Sequence, residues 1–134
     1  MVGDGPYRKD LTRLLPDAVF TGYLAGFDLA QAFASADVFV FPSTTDTFGN
    51  VVLEALASGL PNVVSDQGGP KDLIIHGVTG FVTRAHDPED FTVHVTRLVN
   101  DVALRSAMST AAHRGVQSRD WDEAGRRFWS IPPG

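Results

Sequence analysis

The sequence predicts an α/β domain built on a parallel sheet, and three observations carry that prediction. Short apolar, β-branched runs such as "VFVF" at 38–41 and "NVVS" at 62–65 alternate with stretches of helical spacing, as repeated strand, loop and helix units require. Those runs are apolar on both faces, which suits parallel strands covered by helices on either side. At 134 residues the chain matches a single domain with one core.

Each element follows from local pattern. Residues 2–6, "VGDGP", read as a strand end and turn, and residues 7–15 have helical spacing through Tyr7, Leu11, Leu14 and Leu15. Residues 18–21, "AVFT", read as a strand, and a helix is expected over 28–35 with Leu29, Ala32 and Phe33 on one face. Residues 37–41 are expected to form a central strand ended by Pro42, and residues 51–58 a buried helix. Residues 62–65 give a further buried strand, and a turn at 77–80 leads into a last short strand at 80–83.

Helices complete the chain. In "DPED", Asp87 is the expected cap, Pro88 the first helical residue, and the acids of the first turn suit the helix dipole, starting a helix that runs to about Val99. Asn100 or Asp101 caps a helix to about Gln117, and Asp120 caps a last one carrying Trp121, Phe128 and Trp129. The terminal "IPPG" cannot continue a helix.

Composition removes several function classes. An apolar fraction of 43% and a charged fraction of 20% are those of a globular protein, and no apolar run reaches the roughly 18 residues of a membrane span. The N-terminus has no basic segment leading into an apolar stretch, so no signal peptide is expected and the expected location is cytoplasmic. Zero cysteines exclude disulfides and thiolate metal sites. A net charge of −5 without a block of Lys or Arg argues against nucleic acid as a partner and favours a small molecule. His76, His86, His94 and His113 lack metal-ligand spacing, so no metal is expected, and "DWD" at 120–122 reads as a helix cap rather than a metal-binding pair.

In an open parallel sheet, ligands bind beyond the carboxyl ends of the strands. The exits that matter here are 21–26, 42–49 and 66–70, the last with the paired glycines Gly68 and Gly69. The middle exit leads into a helix whose free N–H groups favour an anion. With that helix starting near Phe48 or Gly49 and Thr47 as a possible cap, Glu54 lies roughly 8 Å along the axis, and Asp46 lies in the loop before it. Two hydroxyl-accepting carboxylates on either side of anion-binding amides suit a nucleotide sugar, with a hexose, a diphosphate and a ribose diol in sequence. Gly49 is expected to leave room for phosphate and sugar to reach the backbone.

These residues resemble a known family. "FPS" at 41–43, "DTFGN" at 46–50 and "LEALASGLP" at 53–61 are similar to the donor-site signature of retaining GT-B glycosyltransferases of family 4, the glycosyltransferase group 1 domain. Asp46 and Glu54 have the seven-residue separation of that signature's two acids. "GDGP" at 3–6, "FTGYL" at 20–24, "ADV" at 36–38, "GGP" at 68–70 and "GVTGF" at 77–81 resemble the family in order and spacing, so the likeness covers nearly the whole chain.

The resemblance implies a Rossmann-like parallel sheet flanked by helices, the C-terminal half of a GT-B fold, with residues 1–134 as its nucleotide-sugar (donor) binding domain. It implies ribose binding by Glu54 and contact with the transferred hexose by Asp46, Phe48, Gly49 and Asn50. It assigns the diphosphate to the amides of Gly49, Asn50 and Val51, and the border of the base to Thr21, Gly22, Tyr23 and Leu24. The donor would be a nucleotide diphosphate sugar such as a UDP- or GDP-hexose, with no cofactor and no dedicated protein base. The family's first acid is usually Glu, and here it is Asp46.

Family members also carry an Arg and a Lys upstream of the Gly-Asp-Gly-Pro turn to neutralise the leaving diphosphate, and an N-terminal acceptor domain. This sequence begins at that turn, and Arg8 and Lys9 follow it on a predicted helix. The expectation is an N-terminally truncated donor domain that is inactive or nearly so alone, its acceptor domain supplied in cis or in trans. The alternative is a stand-alone nucleotide-sugar binding or assembly module acting with a partner chain. A GT-B sugar-nucleotide epimerase ranks below both, because "FGNVVLEA" at 48–55 is the transferase pattern.

Overall fold

A computed structural model describes residues 13, 16–19, 21–22, 24, 26–45 and 49–118, with residues 116–118 described by backbone alone. The chain divides into two units, Met1–Ser35 and Ala36–Gly134. The predictions for residues 2–6, for the helix capped by Asp120 and for the terminal "IPPG" lie outside the described residues, as does the helix at 7–15 except for Arg13, which is helical.

In the first unit, helix α1 spans Gly26–Ser35, two residues longer at its start than the sequence predicts. Asp28 lies in its first turn, where an acid complements the positive end of the helix, and Phe33 is buried. The strand predicted at 18–21 is not formed by its described members. Ala18 lies in a bend, Val19 and Thr21 have no regular structure, and Gly22 makes a single bridge. The turn at Pro16 and Asp17 runs into the bend at Ala18, and Gly22, at φ 72, lies outside the extended region.

The second unit contains a sheet of three parallel strands in the order β1–β2–β3, with β1 at Phe39–Phe41, β2 at Asn62–Ser65 and β3 at Gly80–Thr83. Val40 pairs with Val63, and Val63 with Phe81, so Phe41, Ser65 and Thr83 bring their strands to a common carboxyl edge. The sequence places 37–41 at the centre, but among the described strands that position belongs to β2. All four β2 residues are buried, whereas Val40 of β1 is 41% exposed.

Alternation along β2 supplies both faces of the core. Val64 packs with Val52 and Leu56 of helix α2 (Asn50–Ala57), with Ile74, and with Ala112 of helix α4 (Val102–Ser118). Val63 packs on the other face with Phe81, with Leu98 of helix α3 (Pro88–Asn100) and with Met108 of α4. The caps predicted at Asp87 and Asp101 are in place. Asp87 Oδ1 accepts from the Asp90 N–H at 3.0 Å, with Pro88 at the first helical position, and Asp101 Oδ1 accepts from the Leu104 N–H at 2.9 Å. Arg105 Nη1 then donates to the carbonyls of Leu98 and Val99 at 3.2 and 3.0 Å, tying the end of α3 to α4.

Candidate functional site

β1 delivers the chain to the carboxyl edge, where Pro42 stops the ladder and the Thr45 N–H donates to Ser43 Oγ at 3.4 Å. Helix α2 then begins at Asn50, with Gly49 as its N-cap in the left-handed region at φ 66. The cap position falls on Gly49, which has no side chain of its own to cap the helix; Thr47, the cap the sequence suggests, lies outside the described residues. Asn50 and Val51 contribute the first helical N–H groups, and the first turn holds no acid. A helix start whose first turn holds no acid retains its positive end, which favours an anion. At its other end α2 closes with Leu60 N–H donating to the Ala55 carbonyl at 3.0 Å and Gly59 N–H to the Leu56 carbonyl at 2.9 Å. That is the Schellman pattern.

A side chain at Gly49 would find no open space. The residue is buried, and a β-carbon there would stand 2.8 Å from Leu73 Cδ1 and 3.3 Å from Pro70 Cα. The place of its missing side chain is filled by the 3₁₀ turn Pro70–Leu73, which follows the β2 exit. Positive φ and close packing both require glycine at this position. This glycine thereby lets the second loop dock against the start of α2.

That second loop is fixed along its length. Gln67 N–H donates to Ser65 Oγ at 3.1 Å, and Asp66 N–H donates to the Thr83 carbonyl at 2.8 Å. Asp66 Oδ1 accepts from Ala85 N–H at 2.9 Å, so the exits of β2 and β3 are cross-linked. Lys71 Nζ donates to the Gly68 carbonyl at 3.2 Å. Of the paired glycines, Gly68 has φ 86, whereas Gly69 caps the 3₁₀ turn at φ −75.

Glu54 is exposed on α2, four residues after Asn50 and so on the same helix face, roughly 6 Å further along the axis. The described residues offer its carboxylate no hydrogen bond or ion pair. An acid without a partner among the described residues, one turn beyond a helix start, is available to a ligand's hydroxyls. Gly49, Asn50, Val51 and Glu54 are thus brought together on one short helix. Asp46, Phe48 and Tyr23 lie outside the described residues. Thr21, Gly22 and Leu24 belong to the first unit, where Thr21 is exposed and its Oγ1 donates to the Gly22 carbonyl at 3.0 Å.

Sequence reasoning missed the docking of Pro70 and Leu73 on Gly49, because no local pattern links positions so far apart. It also missed a cluster beside β3 that joins His76, Phe81, Asp90 and His94. The i, i+4 spacing of Asp90 and His94 was the one legible signal for it.

The family model described as "Glycosyl transferases group 1" matches residues 1–101. The chain belongs to this family. Among similar proteins of this group 1 family, the sulfoquinovosyl transferase SQD2 of Arabidopsis thaliana is 44% identical over 128 residues, which is 92% of this chain and 25% of that protein. A GDP-mannose-dependent alpha-mannosyltransferase of Corynebacterium glutamicum is 40% identical over 122 residues, 91% of this chain and 30% of that protein. The chain therefore spans between a quarter and a third of the length of these relatives. Among solved structures, Anabaena HepE in complex with UDP-glucose superposes with a TM-score of 0.78 at 25% identity, covering 97% of this group 1 chain and 40% of HepE. WaaG, a glycosyltransferase of lipopolysaccharide biosynthesis, gives the same TM-score of 0.78 at 21% identity over 96% of this chain and 37% of its own, a likeness of fold. The parallel sheet flanked by helices is the Rossmann-like domain of a GT-B fold. No described helix is long and apolar enough to cross a membrane.

Proposed function

We propose that this domain holds the nucleotide diphosphate sugar donor of a retaining hexosyltransferase. The observation that carries the reading is Glu54, an exposed carboxylate without a partner among the described residues, one turn beyond the acid-free start of α2. On this reading Glu54 accepts from the ribose hydroxyls, and the first amides of α2, at Asn50 and Val51, receive the diphosphate. Asp46 holds the transferred hexose with Phe48, Gly49 and Asn50, and Thr21, Gly22, Tyr23 and Leu24 border the base. The relative named for GDP-mannose and the neighbour solved with UDP-glucose support a hexose donor on either base.

Catalysis in such a site rests on positioning and on stabilising the leaving phosphate, with no dedicated protein base. The chain spans a quarter of its Arabidopsis relative, so the 134 residues alone are expected to bind donor weakly and to transfer no appreciable sugar. Calorimetric titration with UDP- and GDP-hexoses tests the binding. Heat of binding for at least one donor supports the reading, and silence toward all of them refutes it. Efficient turnover by the isolated chain would refute the division of labour. Retention is tested by the anomeric proton coupling of the product formed once an acceptor domain is supplied, and an inverted product overturns it.

A further inference from the structure

His76, in the turn before β3, and His94, on α3, meet beside the ring of Phe81. Their ring centroids are 6.0 Å apart, edge to face, and the Phe81 centroid lies 5.5 Å from His76 and 4.7 Å from His94. Hydrogen bonds give the two rings opposite tautomers. Val82 N–H donates to His76 Nδ1 at 3.0 Å. A ring nitrogen accepts only when it carries no proton, so neutral His76 keeps its proton on Nε2. His94 Nδ1 faces two acceptors, the Asp90 carbonyl at 2.7 Å and Asp90 Oδ1 at 3.3 Å, and therefore carries the proton.

The two histidines consequently answer acid differently. A second proton on His94 goes to Nε2 and leaves both Nδ1 contacts intact. A second proton on His76 goes to Nδ1, where it confronts the Val82 N–H and removes its acceptor. We propose that His76 is a proton-operated clasp on β3: the neutral ring accepts from the Val82 N–H, and the imidazolium gives that bond up.

The charged and titratable groups facing the clasp are Asp90, His94 and Arg97 from α3, and Arg84 from the β3 exit. Asp90 Oδ2 is held by the Arg84 N–H at 2.8 Å, and the Arg84 guanidinium also pairs with Asp87 at 3.3 Å. Arg97 Cζ stands 5.5 Å from the centroid of the Phe81 ring. The turn itself stays closed on its own bonds, Gly77 N–H to the Gly80 carbonyl at 2.8 Å, Thr79 N–H to the Ile75 carbonyl at 3.0 Å and Ile75 N–H to Thr79 Oγ1 at 2.9 Å, so the change is confined to the Val82 N–H.

The clasp is independent of the donor reading, and its test does not involve donor. Long-range imidazole NMR on the 134-residue chain reads the tautomers, and amide exchange at Val82, corrected for intrinsic rates, reads the bond. We expect an Nε2–H tautomer for His76 and, between about pH 7.5 and about pH 5, a loss of Val82 protection of roughly five- to tenfold, the worth of one net hydrogen bond. His76→Asn, which keeps an acceptor but cannot titrate, is expected to hold its protection across that range. An Nδ1–H tautomer at neutral pH, Val82 protection indifferent to pH, or an equal loss in His76→Asn overturns the clasp.

Discussion

Gly49 and Pro70 are in such close approach that a β-carbon on Gly49 would stand 3.3 Å from Pro70 Cα. This contact locks the loop leaving β2 against the start of α2, and with it the two strand exits that frame the candidate donor site. Gly49→Ala is expected to combine left-handed strain with displacement of Leu73, costing about 1–3 kcal/mol. Gly77→Ala is the control, since Gly77 also has positive φ, at 80, but nothing within 4 Å of its added β-carbon. Thermal denaturation of both checks the contact. Equal losses in the two variants would reduce Gly49 to a backbone requirement alone.

Glu54 predicts the opposite separation of effects. Its side chain is exposed and takes no part in the described hydrogen bonds, so Glu54→Ala should leave the melting temperature within experimental scatter. On the proposed reading the same variant loses the charge-assisted bonds to the ribose, about 1.5–3 kcal/mol, or roughly ten- to a hundredfold in affinity for every nucleotide donor. Asp46→Asn should weaken binding only in proportion to the sugar attached. Calorimetry on both variants decides, and unchanged affinity in Glu54→Ala would sink the ribose assignment.

What was legible in the sequence is what acts over a few residues. Asp87 bonds an N–H three residues away and Asp101 does the same, so both helix starts could be read from "DPED" and "ND". β2 was legible because burial on both faces leaves a continuous apolar signature in "NVV". The run at 18–21 is also apolar, yet Ala18 lies in a bend and Val19 and Thr21 have no regular structure, an outcome that composition does not encode. Gly49 was noticed for its freedom, yet its structural partners are Pro70 and Leu73, and only the fold brings them together. His76 and His94 likewise meet only because α3 returns across β3.

Asp90 offers a pH-dependent readout of the β3 exit. The Arg84 backbone N–H, opposed by partial burial and aided by the charges of His94, Arg84 and His76, holds this carboxyl below its ordinary value of 3.8. A group depressed in the folded state contributes stability that is present above its unfolded value and is lost as pH falls through its folded value. Asp90 should therefore titrate below 3.8 in carboxyl-detected NMR, and Asp90→Asn should flatten the acid limb of the stability curve. A titration at or above the ordinary value would remove the Arg84 bond from the account.

Gly80 sets the register on which the whole carboxyl edge depends. It pairs with Asn62 in the parallel ladder, and a β-carbon there would overlap the Asn62 backbone carbonyl. Backbone cannot yield as a flexible side-chain end does, and Asn62 is itself fully buried, with Nδ2 bonded to the Leu60 carbonyl at 2.8 Å. Gly80→Ala should therefore cost at least the upper end of the roughly 1–3 kcal/mol typical of overpacking, with β2–β3 pairing lost first at its amino end. Amide exchange resolved along β3 checks the order: early loss at residues 80–81 while 82–83 stay protected supports the register argument. Uniform loss along the strand would instead indicate global unfolding, and wild-type stability would show that the strands separate at Asn62 without cost.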